Sequence, residues 1–439
     1  MPKTRGPHRL PPPRAAAPAP PQAPRARRPR RLRAAWLLGP ALVAGVAYLD
    51  PGNVASNMTA GARFGYLLVW VVVLGNAMAW LIQYLSAKLG VVTGQSLAET
   101  LGRRFRSDTA RRAYWLQAEL VAMATDIAEV IGGAVVLWLL FGVPLPVGGL
   151  LTGAVSLALL VVQQRRGART FEFVVIALLA IIALGFTYGV FVAPPDPAGL
   201  VSGLVPRFEG TESVLLAASI LGATIMPHAI YAHSALARDR FAGDALTAAR
   251  PAGIPRLLRA TRWDVAIALA IAGTVNLAIL LLAAANLAGV PGTDSLEGAY
   301  AALHAGLGAA VATLFAVGLL ASGLASTAVG AYAGAEIMQG LLRVRVPMLA
   351  RRLVTLVPAI AILAAGVDPT WALVLSQVVL SFGIPFALVP LVALTARADV
   401  LGRYRNRWWT TAAGVLAAIF LIVLNGVLLW LVLGGGPGG

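Results

Sequence analysis

The sequence predicts an all-α integral membrane protein of 11 transmembrane helices, built as two inverted five-helix repeats with helices 1 and 6 broken. Three observations carry this. Of 439 residues, 59% are hydrophobic and 12% charged, where an ordinary soluble domain has about 25% charged. The apolar residues fall in runs of about 20 or more, the length that spans a bilayer. Proline interrupts the first and sixth runs, and helices broken at corresponding places in two halves mark an inverted repeat.

The elements follow in order. Residues 1–35 hold ten prolines, ten Lys or Arg and no acid. Such a segment cannot form a core and reads as a disordered basic tail. A cleaved signal is the competing reading. The apolar run after Arg33 continues into Asp50-Pro51-Gly52-Asn53 with no small-residue cleavage site, which argues against it. Candidate spans then run near 36–60, 66–90, 113–141, 145–164, 171–193, 213–237, 262–289, 307–340, 352–367, 371–396 and 408–434. The transmembrane domain is thus 36–434, with 36–193 as first repeat, 213–396 as second and 408–434 as the eleventh helix.

Charge tests this count. With the N-terminus in the cytoplasm, 33 of the 35 Lys and Arg fall on the cytoplasmic side, and only Arg63 and Arg207 fall outside. The positive-inside rule requires such a split, and an odd number of spans puts the C-terminus outside. The net charge of +17 therefore orients the chain and meets anionic lipid at helix ends. It forms no basic recognition domain, so nucleic acid is not an expected partner. There is no cysteine, which excludes disulfides, thiolate metal sites and thiol nucleophiles and leaves methionine as the only sulfur ligand.

Pro51 in span one and Pro227 in span six remove backbone donors and free the carbonyls of Ala47 and Ala223. Hydrocarbon tolerates freed carbonyls only where protein or a polar cavity satisfies them. Asp50 and Asn53 flank the first break; Met226, His228 and His233 flank the second. A carboxylate at a span centre needs a partner, a proton or a cation. Asp50, Asn53 and the Ala223 carbonyl suit Mn²⁺, Mg²⁺ or Ca²⁺. The Met226 thioether would favour softer transition metals and discriminate against Ca²⁺ and Mg²⁺. The plainer readings are two ordinary proline kinks and a methionine that fills a core gap. Two breaks in register, with Asp50 and His228 beside them, favour a secondary transporter with a midplane site.

In span three Glu119, Asp126 and Glu129 lie seven and three residues apart. At about 100° per residue all three share one side of a helix. Such a stripe marks an ion or proton path, or a structural network with arginines such as Arg352 as partners. His228 and His233 either gate protons or hydrogen-bond freed backbone. His8 and His304 receive no role. No nucleophile with an adjacent base and no H-E-x-x-H pattern is present, so an enzyme is not expected.

These residues resemble the Nramp family of metal-ion transporters, in particular its bacterial manganese transporters. The resemblance runs from about 36 to 434. It is carried by Asp50-Pro-Gly-Asn53, Met226-Pro-His228 with Tyr231 and His233-Ser234, Thr125-Asp126-Ile127-Ala128-Glu129, Leu375-Ser-Gln377 through Phe386, and Arg351-Arg352. It implies a LeuT-like fold and proton-coupled import of Mn²⁺, Fe²⁺ and related ions such as Cd²⁺ and Co²⁺ across a bacterial inner membrane. It implies Asp50, Asn53, the Ala223 carbonyl and Met226 as metal ligands, with Gln377 joining on occlusion. It also implies a proton route through Asp50, His228, Glu119, Asp126 and Glu129, with Arg352 near the cytoplasmic end. A Mg²⁺-transporting branch lacks the methionine, so Met226 places the chain with the transition-metal branch. Ala229 departs from the family's usual Asn, and the tail lies outside its pattern. Protons and the transported ions are substrates; no resident cofactor is implied, and a monomer fits. The alternatives are a LeuT-like symporter for a small organic solute, whose carboxylate Asp50 would repel, and a channel, which needs weaker binding than an acid-plus-thioether site.

Overall fold

A proline can begin a helix without loss, because its missing N–H is one of four that no intrahelical carbonyl meets. Pro51 and Pro227 are both used in this way. The computed structural model describes residues 39–166, 168–247, 253–344 and 347–433. The basic tail, with His8, lies outside the described residues, as do Arg250 and Arg345. The first predicted span divides into α1 (Pro40–Val46) and α2 (Pro51–Phe64), joined by a 3-10 turn, Ala47–Leu49, and by Asp50. The sixth divides into α9 (Gly210–Ile225) and α10 (Pro227–Thr247), with Met226 between them.

Each other predicted stretch contains a helix. These are α3 (Val69–Thr93), α5 (Asp108–Phe141), α6 (Leu145–Arg166), α7 (Ala168–Val192), α11 (Ile254–Asn286), α13 (Ala309–Ile337), α14 (Met348–Ala364), α15 (Pro369–Ala396) and α17 (Trp408–Leu433). The sequence reading missed four short helices on the connections: α4 (Leu97–Arg104), α8 (Pro197–Ser202), α12 (Leu296–Leu307) and α16 (Ala398–Leu401). Local capping chemistry explains α4, where the Ser96 hydroxyl accepts the Glu99 N–H and the Glu99 carboxylate accepts the Ser96 N–H. Among the described residues seven helices, with α9 and α10 taken as one, are long and apolar enough to cross a membrane.

The two broken elements lie at the centre. α2 packs on α11, α9 and α15; α10 packs on α3 and α13. Nearly all of the buried apolar side chains form one continuous cluster around them. Leu184, Phe191, Val357, Leu416 and Trp430 remain exposed, as expected of helix faces turned to hydrocarbon.

The start of α1 is held from a distance. Gly39 occupies its N-cap and has no side chain to supply a cap. Buried Asp264 of α11 does so instead, taking the Gly39 N–H at 3.0 Å and the Ala41 N–H at 2.9 Å. A carboxylate at a helix N-terminus satisfies unpaired donors and meets the positive end of the helix dipole. Asp264→Ala is expected to destabilise the protein by about 1–2 kcal/mol, in line with N-cap loss. Thermal unfolding in detergent checks this, and Asp264→Asn, which keeps one acceptor, should cost less.

Candidate functional site

Asp50 sits where the chain leaves the 3-10 turn with extended backbone, φ −67° and ψ 163°. One carboxylate oxygen accepts the Asn53 N–H at 2.8 Å, which makes Asp50 the N-cap of α2. The other accepts the Gln377 side-chain N–H from α15 at 3.0 Å. Asp50 is fully buried, and among the described residues no Lys, Arg or His forms an ion pair with it. Its charge is therefore met only by amide donors and by the N-terminus of α2.

The carbonyls that need partners at this break are those of Tyr48 and Leu49. Asn53 Nδ2 and Asn276 Nδ2 donate to Tyr48 O, and the Ser322 hydroxyl donates to Leu49 O. The sequence reading had pointed to Ala47. The shift arises because the chain tightens into a 3-10 turn and reverses at Asp50, so the proline meets no intact preceding helical turn. Asn57 Nδ2 donates to Asn53 Oδ1 at 2.5 Å, leaving that oxygen a second lone pair. Asn57 Oδ1, Asn276 Oδ1 and Gln377 Oε1 are buried with no hydrogen-bond partner. Of these, Gln377 Oε1 belongs to the amide that bonds Asp50.

The second break supplies the rest. Pro227 has no N–H for the Ala223 carbonyl. Met226 bridges the two half-helices at φ 25°, one of two non-glycine residues among those described with a positive φ, and it is fully buried. A side-chain-bearing residue in that region is strained, and such strain collects at functional sites. Gly222 lets α9 approach α15: a Cβ there would fall on the Gln377 carbonyl oxygen and 2.9 Å from the Ser381 nitrogen. Ala223 comes next in α9 and Met226 ends it, so the second break lies one turn beyond the point where α9 meets the helix that carries Gln377.

Below the site the acid stripe of α5 forms a ladder with two arginines of α14. Arg351 Nε donates to Glu119 Oε1 at 2.7 Å, and its Nη1 pairs with Asp126 Oδ2 at 3.0 Å. Arg352 Nη1 meets Asp126 Oδ1 at 2.9 Å and Glu129 Oε2 at 3.2 Å. Arg352 also donates to Ser156 and Thr327. Arg351 thus holds the outermost acid of the stripe and Arg352 lies deeper, between Asp126 and Glu129. This differs from the resemblance, which put Arg352 near the end of the route. Three carboxylates against two guanidiniums leave one formal negative charge in a nearly solvent-free place. The ladder adjoins the break, since a Cβ on Gly132 of α5 would strike Pro51 and one on Gly323 would lie 3.5 Å from both the Glu129 carbonyl and Pro51 Cγ.

His228 Nδ1 lies 3.2 Å from the Thr125 hydroxyl, next to Asp126 in the chain, which brings the start of α10 to the ladder. His233 lies apart from it. Its Nδ1 is 2.8 Å from Gln83 Oε1 of α3, and its Nε2 is buried without a partner. Gln83, Asn57, Asn276 and Ser322 carry no signal in the sequence beyond a polar residue within an apolar span. Thr125 stands in the span-three motif without an assigned role. No group of three His, Cys, Asp or Glu suited to a metal ion occurs among the described residues, so any ion at Asp50 would rely on amide, carbonyl and thioether ligands.

The two ends of the broken helices differ among the described residues. Toward the C-terminal end of α2 a cavity of ≈ 240 Å³ opens, lined by Thr59, Arg63, Glu212, Asp294, Asp368 and Trp371 among others. Arg63 pairs with Glu212 and with Asp294 there. Toward the C-terminal end of α10 the molecule is packed: Tyr231, His233 and Ser234 are buried, and Arg238 ties Glu99 of α4 to Glu336 of α13.

The Nramp profile, described as natural resistance-associated macrophage protein-like, matches residues 41–431. A divalent metal cation transporter MntH of Mycobacterium tuberculosis (strain H37Rv) is 60% identical over 405 residues, covering 92% of this chain and 94% of that one. The protein of the same description from Bacillus subtilis (strain 168) is 44% identical over 393 residues, covering 88% and 90%. A crystal structure of a manganese transporter from Eremococcus coleocola superposes with TM-score 0.79 at 32% identity, covering 92% of this chain and 89% of that one. MhsT, solved with L-phenylalanine, superposes with TM-score 0.58 at 12% identity, covering 90% and 99%, and speaks for the LeuT-like fold alone.

Breaking the ladder at one member leaves the others uncompensated. Arg352→Ala is expected to cost about 3–5 kcal/mol, the usual penalty for orphaning a buried charge. A lowered unfolding midpoint in detergent reads this. Neutralising Asp126 and Glu129 together with Arg352→Met should recover most of the loss.

Proposed function

The chain belongs to the Nramp family, and on that premise we propose that it imports divalent transition-metal ions with protons across a bacterial inner membrane by alternating access. Mn²⁺ and Fe²⁺ are the main cargo, and Cd²⁺ and Co²⁺ are also taken. The observation that carries this is Asp50: a fully buried helix-capping carboxylate with no basic partner among the described residues, bonded by the Gln377 amide whose own oxygen is unpartnered. A divalent ion satisfies both deficits at once. Asp50 and Asn53 from the first break, the Ala223 carbonyl and Met226 sulfur from the second, and Gln377 from α15 are the ligand set.

Both breaks belong to the ligand set for a physical reason. Each half-helix can move on its own, so the ion can be held by all elements and released when one swings away. The 36–193 and 213–396 repeats, each opening on a broken helix, provide two such elements, and 11 crossings follow from the 11 helical stretches. With the N-terminus cytoplasmic and the C-terminus external, the acidic cavity by Arg63 faces outward and gathers cations. The packed end by Arg238 faces the cytosol as the closed inner gate, where basic residues meet anionic lipid.

Proton coupling rests on the ladder. Its surplus negative charge lets one proton enter without adding net buried charge, whereas a fully paired ladder would resist it. His228, hydrogen-bonded to Thr125 beside Asp126, joins the cargo site to the stripe Glu129, Asp126, Glu119. Arg352 and Arg351 order the acids. His233, partnered by Gln83, belongs with the inner gate and its proton traffic.

Mn²⁺ uptake into proteoliposomes under an inward proton gradient tests the reading. Wild type should accumulate Mn²⁺ and Asp50→Ala should not; wild-type vesicles inert to Mn²⁺, Fe²⁺ and Cd²⁺ alike would refute the proposal. Met226→Ala should lose Cd²⁺ uptake more than Mn²⁺ uptake and begin to admit Ca²⁺ or Mg²⁺, because only the thioether discriminates by softness. Unchanged selectivity would reduce Met226 to packing. Asp126→Asn should weaken metal-stimulated proton flux, and an untouched flux would place the route elsewhere.

A further inference from the structure

Pro51 and Pro227 open helices, but Pro385 and Pro390 lie inside α15. Each withholds the N–H that the carbonyl four residues back would accept. The carbonyls of Ser381 and Phe386 are therefore left over, and each is met by a side chain from another helix. Tyr114 of α5 donates its hydroxyl to Phe386 O. With that proton committed, Tyr231 of α10, 3.0 Å away, is the donor to Tyr114. Asn425 of α17 donates Nδ2 to Ser381 O at 2.9 Å, and its Oδ1 lies 2.7 Å from the Ser381 hydroxyl. That hydroxyl also reaches the Val378 carbonyl at 2.9 Å. Its single proton serves one acceptor at a time, so the bond to Ser381 O is the fixed half of the clamp.

Asn425 is conspicuous in its own helix. α17 is the most hydrophobic of the seven long spans, with mean hydropathy 2.8. Asn425 lies on its buried face with Leu421, Leu424 and Leu428. An amide in such surroundings is costly unless it is hydrogen-bonded, and its Nδ2 goes to the one carbonyl that Pro385 exposes. One turn before Ser381, about 6 Å along the axis, stands Gln377, whose Nε2 holds Asp50 at 3.0 Å. On its other side this turn meets α9, through the close approach at Gly222. The turn 377–381 is thus gripped by α9 and α17, and from that position Gln377 reaches Asp50.

We propose that Asn425 is a positioning residue for the cargo site. By taking the carbonyl that Pro385 frees, it sets the turn from which Gln377 closes over Asp50. The contribution of α17 to transport is to carry this clamp. Without it the carbonyl seeks another donor, α15 bends at Pro385, and Gln377 withdraws as a ligand. The inference rests on the reading of Asp50 and Gln377 as the cargo site.

The test is a pair of double-mutant cycles read as KM and Vmax for Mn²⁺ uptake in proteoliposomes of the full chain. Asn425→Leu is expected to raise KM about ten-fold, as loss of a buried hydrogen bond would, with a smaller change in Vmax. Pro385→Ala returns an N–H to Ser381 O, and in that background Asn425→Leu should change KM by no more than about two-fold. In a Gln377→Ala background Asn425→Leu should add nothing to KM. Should Pro385→Ala fail to fold, the Gln377 cycle decides alone. An Asn425→Leu effect that is additive with Gln377→Ala, or undiminished with Pro385→Ala, would overturn the inference while leaving the cargo site intact. Wild-type vesicles inert to Mn²⁺, Fe²⁺ and Cd²⁺ alike would overturn the cargo-site reading and the inference with it.

Discussion

Asp50 accepts the Asn53 N–H at the start of α2 and the Gln377 amide from α15, and among the described residues no basic side chain forms an ion pair with it. Much of the interior is arranged around that carboxylate. Its role as N-cap fixes where α2 begins, and so where the chain must break. The break leaves the Tyr48 and Leu49 carbonyls turned inward, and these draw in Asn276 of α11 and Ser322 of α13. Gln377 draws in α15, and the bare backbone of Gly222 lets α9 follow. One buried charge thus determines contacts from four other helices.

The same constraint, that hydrocarbon offers no hydrogen bonds, operates wherever proline interrupts a helix. The molecule meets it in two ways. At Pro51 and Pro227 a new helix begins, and at the first of these breaks the leftover carbonyls are met by Asn53, Asn276 and Ser322 around the buried Asp50. At Pro385 and Pro390 the helix continues, and the leftover carbonyls are taken by Asn425 and Tyr114. The first arrangement makes a site. The second makes a jointed rod whose position is set by its neighbours.

The ladder of α5 and α14 keeps its charges in a different way. Its acids are paired with arginines, whereas Asp50 has no such pair among the described residues, and the two groups meet where Gly132 admits Pro51. The two kinds of buried charge thus stand in adjoining but separate places, close enough for each to feel the other.

Much of this was legible in the chain itself. Spacing on a helix is a local property, so Glu119, Asp126 and Glu129 could be placed on one side of α5 from their numbers alone. Apolar length and the two prolines marked the broken spans for the same reason, and the basic residues predicted an orientation because they act at helix ends one at a time. The sequence offers Arg352 as a candidate partner for the acid stripe, but not which acid each arginine meets. Arg351 and Arg352 stand more than 200 positions from the acids they hold, and Asn276, Ser322, Gln83 and Asn425 looked like scattered polar residues in apolar runs. Pairing across such separations depends on which helices pack together and on which faces, and no local periodicity encodes that. The order of residues already shows which groups cannot remain alone in a membrane. What each of them meets comes from packing, because satisfying a buried polar group requires a donor or charge within about 3 Å, and that proximity arises only when the helices come together.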